Sequence, residues 1–378
     1  MKSSVIRVNP KKPEKFIIEK AAKIIKRGGL VAFPTETVYG LGANALDKKA
    51  VRKIFEAKGR PLDNPIIVHI AKIEDLNLLA RNIPKEARIL TKEFWPGPLT
   101  LVLFKKKVVV EEDKSSSSAT KSRLRDKGGK ERKTLFDFAI ARVPDEVTAG
   151  ADTVAIRMPK NKIALELIKS SGVPIAAPSA NLAGRPSPTT ASHVFEDLGD
   201  KIDLILDGGR TKIGVESTVL DLTVKPPQIL RPGGVNLEEL KKVLKEIKPH
   251  FFLKGEKLKD KIVKSPGMKY RHYAPKAPLI LVEGKEQISK IQNLINYYKK
   301  KKKKVGVMAT SETKRFYKNA DLVLAVGSKK NLEKVAQNLF KALREFDKKG
   351  VDIILAESFP ERGIGFAIMH RLRKAAKK

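Results

Sequence analysis

The stretch Gly28-Gly-Leu-Val-Ala-Phe-Pro-Thr-Glu-Thr-Val-Tyr-Gly-Leu-Gly42 decides the fold of the first half of the chain. Its apolar run meets Pro34, and the polar tripeptide Thr35-Glu36-Thr37 follows at once. Proline disfavours helix at the preceding residue and lacks a backbone donor. We therefore expect a buried strand that ends at Pro34 and delivers polar side chains to a cleft. An ordinary strand-to-helix turn, with Thr35 or Thr37 as the N-cap, fits this stretch alone equally well.

The composition narrows the class of protein. The chain has 378 residues, 41% of them hydrophobic, which is enough for two or three globular domains. The absence of cysteine excludes disulfides, thiolate nucleophiles and cysteine-ligated zinc. The formal charge of +36 attracts polyanions such as nucleotide triphosphates or tRNA, but it identifies no single partner. Neither a signal-peptide core nor a membrane-spanning apolar run is visible, so we expect a cytoplasmic protein with no membrane contact.

Two domains are predicted from the order of apolar and polar segments. Residues 1–248 alternate strands and helices without repeats, which indicates a mixed α/β domain. A basic, low-complexity excursion at about 105–141 interrupts this domain. Residues 249–276 lack periodicity and are interpreted as a linker. In residues 277–378, four apolar runs alternate with helical stretches, a pattern typical of a smaller Rossmann-like parallel α/β domain without a dinucleotide fingerprint.

Several polar residues of the first domain stand at predicted strand ends or in glycine-rich turns. Lys58-Gly-Arg60 offers cations for phosphate, and Ser179-x-Asn181 offers hydroxyl and amide groups, although a surface loop and a polar turn are the ordinary interpretations. His69 alone fits a core histidine, whereas a buried Arg157 requires an anion from the protein or a ligand. With Ser217 and Arg231 at further strand ends, the set favours a site for a small anionic ligand.

Seven motifs, taken together, resemble the threonylcarbamoyl-AMP synthases with a YrdC-type domain, and the tail Gly365-Phe-Ala-Ile-Met-His-Arg-Leu-Arg resembles the C-terminal domain of the longer members. The resemblance covers nearly the whole chain. The motifs are the opening stretch, Lys58-x-Arg60, Asn64-Pro-Ile-Ile-Val-His69, Phe94-Trp-Pro-Gly-Pro-Leu-Thr-Leu, Ala177-Pro-Ser-Ala-Asn181, Gly214-Val-Glu-Ser-Thr218 and Leu230-Arg-Pro-Gly.

The resemblance implies an L-threonylcarbamoyladenylate synthase, a nucleotidyltransferase that condenses L-threonine, bicarbonate and ATP for the N6-threonylcarbamoyladenosine modification of tRNA. Mg²⁺ would be held mainly by the ATP phosphates, with no metal ligand from the protein, and the product would pass to a downstream threonylcarbamoyl transferase complex. Direct tRNA contact is possible in this scheme. The linker around Tyr273 would act as a lid.

The resemblance also implies roles for individual residues. By matching position, the implied catalytic residues are Lys58, Arg60, Ser179 and Asn181. The implied threonine-binding residues are Thr35, His69, Arg157, Ala177 and Ser217. The implied ATP-binding residues are Lys58, Leu62, Thr153, Ser179, Ser187, Arg231 and Tyr273.

Two other interpretations stay open at the level of sequence. The basic charge also fits a double-stranded RNA or tRNA binding module, and the fold also fits a carbamoyl-adenylate enzyme with another acceptor. ATP cleavage to AMP and pyrophosphate that depends on both threonine and bicarbonate separates the synthase from either alternative.

Overall fold

The chain folds around two separate β-sheets. The computed structural model describes residues 3–106, 143–249, 264 and 272–376. Within these residues, the larger sheet has twelve strands and the smaller sheet has four. The predicted fold class, a twisted mixed-sheet α/β domain followed by a smaller parallel α/β domain, is confirmed.

The larger sheet mixes parallel and antiparallel neighbours. Its order is β1-β9-β2-β3-β8-β4-β7-β6-β10-β11-β12, and β5 pairs with β6. The strands are β1 (Ser4–Arg7), β2 (Val31–Pro34), β3 (Tyr39–Asn44), β4 (Val68–His69), β5 (Ala80–Arg81), β6 (Leu99–Lys105), β7 (Thr153–Arg157), β8 (Ile175–Ala176), β9 (Leu204–Asp207), β10 (Thr218–Asp221), β11 (Gln228–Arg231) and β12 (Lys248–Pro249).

Helices cover both faces of this sheet and flank the smaller one. Short 3₁₀ turns lie at Ile73–Asp75 and Lys314–Phe316. The described α-helices are α1 (Lys15–Lys26), α2 (Lys48–Lys58), α3 (Leu76–Leu79), α4 (Lys85–Phe94), α5 (Asp145–Thr148), α6 (Lys162–Ser171), α7 (Ala191–Leu198), α8 (Leu237–Val243), α9 (Gln287–Lys300), α10 (Leu332–Lys349) and α11 (Gly365–Ala376).

The opening stretch forms a β-hairpin and not a strand-to-helix turn. β2 and β3 pair antiparallel with Pro34 opposite Tyr39. Val31 and Phe33 belong to the core under α1 and α6, whereas Ala32 belongs to the core on the other face, as the two-residue period of a strand requires. The Thr35 Oγ1 donates to Val38 O at 2.6 Å, which closes the turn between the strands. The predicted strand end at Pro34 is therefore correct, and the alternative of a helix N-cap is wrong.

Helix α2 delivers Lys58 to the same side of the domain. Asp47 caps its N-terminus, because its Oδ1 accepts from the amides of Lys49 at 2.9 Å and Ala50 at 3.1 Å. Gly59 ends the helix with a left-handed φ of 59°, a conformation that costs glycine little. The chain thus turns sharply between Lys58 and Arg60.

The smaller sheet is parallel throughout. Its strands are β13 (Leu279–Val282), β14 (Val305–Ala309), β15 (Leu322–Ala325) and β16 (Ile353–Glu357), in the order β13-β16-β14-β15. One of its cores also contains Val38, Val215 and Tyr273, which precede the sheet in the chain. Apolar contact therefore continues from the second domain into the first.

Three expectations differ from the structure or lie outside it. Lys105 was assigned to the basic excursion, but it is the last residue of β6, and its buried Nζ donates to Asp145 Oδ1 at 2.8 Å. Helix α7 was not predicted. The rest of the excursion, at 107–142, and most of the predicted linker, at 250–263 and 265–271, lie outside the described residues.

Candidate functional site

The predicted site residues gather at one edge of the larger sheet. His69 and Arg157 are the last residues of the parallel strands β4 and β7 and lie side by side. Arg231 is the last residue of β11 and pairs with Val219, near the start of β10. Because β10 runs parallel to β6 and β6 runs antiparallel to β7, all these ends meet at the same edge.

A cavity of about 50 Å³ lies at this edge. Its described lining has four arginines but only one glutamate, Glu216, so cations dominate its wall. Pockets for drug-sized ligands are usually ~300–1,000 Å³, so the cavity is too small in this conformation to enclose a nucleotide. All the predicted site residues line it except Lys58, Leu62 and Thr153. The predicted residues that line it are Thr35, Arg60, His69, Arg157, Ala177, Ser179, Asn181, Ser187, Ser217, Arg231 and Tyr273.

Two of the three exceptions lie beside this cavity. Lys58 lines an adjoining hollow of about 290 Å³ that shares Arg60, Ser179 and Asn181 with the cavity. Leu62 is 49% exposed and lines a more open surface hollow that also contacts Arg60. A nucleotide larger than the cavity could extend into these hollows, and the ATP contact of Leu62 stays a prediction.

Thr153 lies away from the cavity. It is the first residue of β7, where it pairs with Phe104, whereas Arg157 is the last. A strand advances about 3.3 Å per residue, so the two positions are roughly 13 Å apart. The cavity does not reach Thr153 in this conformation, and the ATP contact of Thr153 stays a prediction.

Arg157 already has a protein anion. Its Nη2 donates to Glu36 Oε1 at 2.6 Å, its Nη1 donates to Thr37 Oγ1 at 3.0 Å, and its Nε donates to Gly97 O at 3.2 Å. Both charged side chains are at most 5% exposed. A guanidinium has five N–H groups, so the partners among the described residues leave two for a ligand. Sequence reasoning asked for an anion at Arg157 and missed Glu36, although this residue stands in the opening stretch.

His69 is a neutral neighbour of Arg157. Burial, together with the positive charge of Arg157, lowers the pKa of His69 to about 3. The Nδ1 lies 3.2 Å from Ile67 O, and a carbonyl can only accept, so this nitrogen carries the proton. Neutral His69 adds no charge to the cavity at physiological pH.

The Lys58 ammonium faces backbone carbonyls. Its Nζ donates to Ser179 O at 2.5 Å and also to Asn181 O. Burial, with Arg60 nearby, lowers the pKa of Lys58 well below its usual value. Lys58 therefore fixes the Ser179-x-Asn181 turn, and an anion arriving beside it would favour its charged form.

Arg60 is a partly buried cation with an unengaged donor. Its Nη2 donates to Asn64 O at 3.1 Å and Pro65 O at 2.9 Å. Its Nε is buried and has no hydrogen-bond partner among the described residues. Burial and the charge of Arg231 lower the pKa of Arg60 to about 10. An anionic ligand would satisfy the free N–H and compensate the buried charge.

Arg231 and Ser217 form the wall opposite Arg157. Arg231 donates from Nη2 to Ser217 Oγ at 3.1 Å and from Nε to Ser217 O at 3.1 Å. Ser217 Oγ also lies 2.8 Å from Thr100 Oγ1. Burial lowers the pKa of Arg231. Ser217 is thus fixed by Thr100 and Arg231. The Nη1 of Arg231 has no hydrogen-bond partner among the described residues and can donate to a ligand.

Glu216 and the C-terminal domain complete this wall. Glu216 Oε1 accepts from Ser187 Oγ at 2.5 Å, and Oε2 accepts from Arg371 Nε at 2.9 Å. Burial acts to raise the pKa of Glu216, but Arg371 and Arg231 outweigh it and lower the pKa. Sequence reasoning quoted both motifs but assigned no role to Glu216 or Arg371, because nothing in the sequence places residues so far apart together.

His272 and Tyr273 close the cavity from the end of the predicted linker. Tyr273 is 4% exposed, and its ring stacks on Phe340 of α10 with centroids 5.3 Å apart. Burial, with Glu216 nearby, raises the pKa of the Tyr273 phenol, so the phenol is neutral at physiological pH. Burial and Arg60 lower the pKa of His272 to about 3. Both side chains occupy space that a larger ligand would need.

The protein carboxylates at the cavity are engaged. Glu216 has the two partners given above, while Glu36 accepts from Arg157 and from the Lys160 amide at 3.0 Å. Among the described residues, no three His, Asp or Glu side chains converge as they would around a metal ion.

None of the described helices has the length and apolarity that a membrane crossing requires.

The fold and site define a class of protein: a two-domain α/β protein whose mixed sheet carries a small, cationic cavity suited to small anionic ligands. A family model described as "Telomere recombination" matches residues 23–120 and 134–233. A second, described as "Threonylcarbamoyl-AMP synthase, C-terminal domain", matches residues 235–377. The chain belongs to the threonylcarbamoyl-AMP synthase family, which confirms the resemblance.

Individual relatives extend over nearly the whole chain. Threonylcarbamoyl-AMP synthase of Pyrococcus abyssi is 52% identical, over 96% of this chain and 95% of the relative. The Bacillus subtilis protein of the same name is 48% identical, over 95% and 92%. A crystal structure of P. abyssi Sua5 complexed with L-threonine superposes with a TM-score of 0.85 at 50% identity, covering 99% of this chain and 98% of that one.

Proposed function

We propose that the chain is an L-threonylcarbamoyladenylate synthase, a nucleotidyltransferase that converts L-threonine, bicarbonate and ATP to threonylcarbamoyl-AMP and pyrophosphate. The named relatives support this activity. The observation that carries the proposal is the cavity wall. Partly buried Arg60 and buried Arg157 and Arg231 each have N–H groups that the described residues leave unengaged, and serine and threonine hydroxyl groups line the same cavity.

Charge explains why this wall suits the reaction. The threonine amine, in its neutral form, attacks bicarbonate and gives a carbamate with loss of water, or attacks CO₂ and gives a carbamate with loss of a proton. A carbamate oxygen then attacks the α-phosphorus of ATP, and the bond to pyrophosphate breaks. Two anions must therefore approach each other, and pyrophosphate must leave with additional charge. Fixed cations in a water-poor cavity offset the repulsion and stabilise the developing charge.

The threonine half of the site would be centred on Arg157. Its two remaining N–H groups suit a carboxylate, which matches guanidinium geometry. Neutral His69 beside it does not compete for that carboxylate by charge. Thr35, Ala177 and Ser217 line the same cavity and would surround the rest of the amino acid.

The nucleotide half would include Arg60, Ser179 and Asn181, with Lys58 behind them. The buried, unpartnered Nε of Arg60 is a donor available to a phosphate oxygen. Lys58 holds the Ser179-x-Asn181 turn through its carbonyls and would add its charge near the phosphates. Ser187, Arg231 and Tyr273 would contact the rest of the nucleotide.

Mg²⁺ would enter with ATP, held mainly by the phosphate oxygens, because Glu216 and Glu36, the described carboxylates in and beside the cavity wall, already accept from arginines, a serine hydroxyl and a backbone amide. When bound, it would neutralise part of the phosphate charge. The arginine side chains would still be needed to orient the carbamate against the α-phosphorus.

Tyr273 would act as the lid over the product. Threonylcarbamoyl-AMP is a mixed anhydride that water hydrolyses, so a closed cavity prolongs its lifetime. The small volume in the described conformation and the buried Tyr273 ring support a closed state. The product would then pass to a downstream transferase complex that modifies tRNA.

Mass spectrometry tests the proposal. The full chain is incubated with ATP, Mg²⁺, bicarbonate and each amino acid in turn. Threonylcarbamoyl-AMP and pyrophosphate should form with L-threonine and only when bicarbonate is present. Product with a different acceptor would point to another carbamoyl-adenylate enzyme, and no adenylate with any amino acid would reject the synthase.

A further inference from the structure

Arg371 brings the C-terminal domain into contact with the cavity wall. It lies on α11, its side chain is 0% exposed, and it is the largest fully buried side chain among the described residues. Its guanidinium lies between Glu216, at 2.9 Å from Nε, and the Tyr273 ring, whose centroid is 5.3 Å away. Its Nη1 donates to Pro232 O at 2.7 Å. Because buried ion pairs contribute little net stability, stability alone does not account for an arginine that bridges two domains at this site.

Glu216 connects Arg371 to Ser187, because one carboxylate oxygen accepts from Arg371 and the other accepts from Ser187. A carboxylate can only accept, so the single hydroxyl proton of Ser187 is directed at Glu216 Oε1, 2.5 Å away. Ser187 Oγ can then offer only lone pairs to the cavity. A ligand atom beside it must be a donor, such as a ribose hydroxyl, whereas a bare phosphate oxygen would be repelled.

Each of three residues predicted to contact ATP lies within two contacts of Arg371. Ser187 is reached through Glu216, Arg231 precedes Pro232 in the chain, and Tyr273 is covered directly by the guanidinium. Among the residues predicted to surround threonine, His69 and Arg157 have no such contact with Arg371 in the described hydrogen bonds. Ser217 is the exception, because it directly follows Glu216 in the chain.

We infer that Arg371 and Glu216 are positioning residues of the nucleotide half of the site, and that docking of the C-terminal domain sets ATP affinity through them. This inference rests on the proposed function, since it takes the cavity to be an ATP site. Arg371 orients Glu216, Glu216 orients Ser187, and the guanidinium supports the ring of Tyr273.

A second interdomain ion pair provides a matched control. Arg344 of α10 is also buried, and it forms a two-pronged pair with Asp197 of α7 at 2.7 and 3.2 Å. It contacts neither Glu216 nor Tyr273 in the described structure. Its Nη2 also donates to Pro186 O at 2.6 Å, next to Ser187, but the described bond of the Ser187 hydroxyl is to Glu216. Lysine at either position keeps the charge but loses the planar fork, so Arg371→Lys and Arg344→Lys perturb domain docking in the same way.

Calorimetric titration of the full chain with ATP alone, and with L-threonine alone, tests the inference. Arg371→Lys should raise the Kd for ATP about tenfold or more, the usual effect of disrupting a buried charged hydrogen bond, and change the Kd for threonine less than about threefold. Arg344→Lys should change both less than about threefold. Glu216→Gln keeps the shape but removes the charge, so it should weaken ATP binding as Arg371→Lys does. Thermal unfolding shows that each variant is folded.

Equal weakening of ATP binding by Arg371→Lys and Arg344→Lys would show that Arg371 acts only in docking, and would overturn the positioning role. A parallel loss of threonine and ATP affinity in Arg371→Lys would overturn it too. If the wild-type chain forms threonylcarbamoyl-AMP while either result is obtained, the inference alone fails. A wild-type chain that binds no ATP would overturn both the inference and the proposed function.

Discussion

Replacing Glu36 by glutamine should destabilise the ligand-free protein and increase the stabilisation that L-threonine provides. In the wild-type chain, Arg157 is neutralised by Glu36 across 2.6 Å in a site where both side chains are almost fully buried. Glu36→Gln leaves a buried guanidinium without an anion, which typically costs about 3–5 kcal/mol. The amide oxygen can still accept from Arg157, so we expect the lower end of this range. If the threonine carboxylate binds Arg157, it becomes the replacement anion.

Thermal unfolding with and without threonine measures both effects. A loss of about 3 kcal/mol should lower the Tm by roughly 6–12 °C for a domain of this size. Saturating threonine should then raise the Tm of Glu36→Gln by more than it raises that of the wild type. Wild-type stabilisation at a hundredfold excess over Kd is about 2.7 kcal/mol, which sets the reference.

Asp197→Asn is the control for this experiment. Asp197 is another buried carboxylate, and its loss also removes the nearer anion of buried Arg344 and the partner of partly exposed Arg185. It should lower the Tm without enlarging the threonine-dependent increment. A threonine increment in Glu36→Gln that is equal to or smaller than the wild-type increment would refute the role of Arg157 as the carboxylate site.

Three further predictions concern the same domain. Arg157→Ala should abolish the threonine-dependent product while ATP binding persists, because only the carboxylate site is removed, and calorimetry showing unchanged threonine affinity would contradict this. His69 has a pKa of about 3 when folded against 6.5 ordinarily, so the unfolded state binds more protons between these values and stability falls as the pH falls. At pH 5 the free energy of unfolding should be about 2 kcal/mol lower than at neutral pH because of His69. Urea unfolding at several pH values should show that His69→Gln loses less stability than the wild type as the pH falls. An equal loss in both proteins would argue against a buried neutral histidine. Gly214→Ala should lower stability more than Gly59→Ala. Both glycines have a positive φ, but a Cβ on Gly214 would lie 2.5 Å from Ala336 O across the domain contact, whereas a Cβ on Gly59 would meet open space. The strain alone costs about 1 kcal/mol, and equal Tm losses would show that the interface yields freely.

The sequence predicted the fold class and most of the cavity wall for a physical reason. An apolar run that ends in a polar residue marks a strand end, and strand ends of one sheet edge come together, which is why His69, Arg157 and Arg231 meet. Thr153 shows the limit of that logic. It is in the same apolar run as Arg157, and only strand direction and register place it at the opposite edge.

Contacts between distant segments could not be predicted. A buried arginine requires an anion, and that rule applied to Arg157 without identifying Glu36, because periodicity does not give the position of a side chain in a turn. The Glu216–Arg371 pair joins residues 155 positions apart on different domains. Neither residue has a local pattern that distinguishes it from surface charge.

The carboxylates of the site account for its order before substrate arrives. Without Glu36 and Glu216, the guanidinium groups of Arg157 and Arg371 would be buried charges that could persist only by moving toward water. Pairing fixes these groups and leaves some N–H donors for ligands, so little reorganisation is needed when the carbamate and ATP meet. A stronger local positive charge is not the same as a better catalyst. Threonine binding should therefore stabilise Glu36→Gln more than the wild type. The variant should nevertheless form threonylcarbamoyl-AMP more slowly, because Arg157 without Glu36 is no longer fixed in the position that orients the substrate.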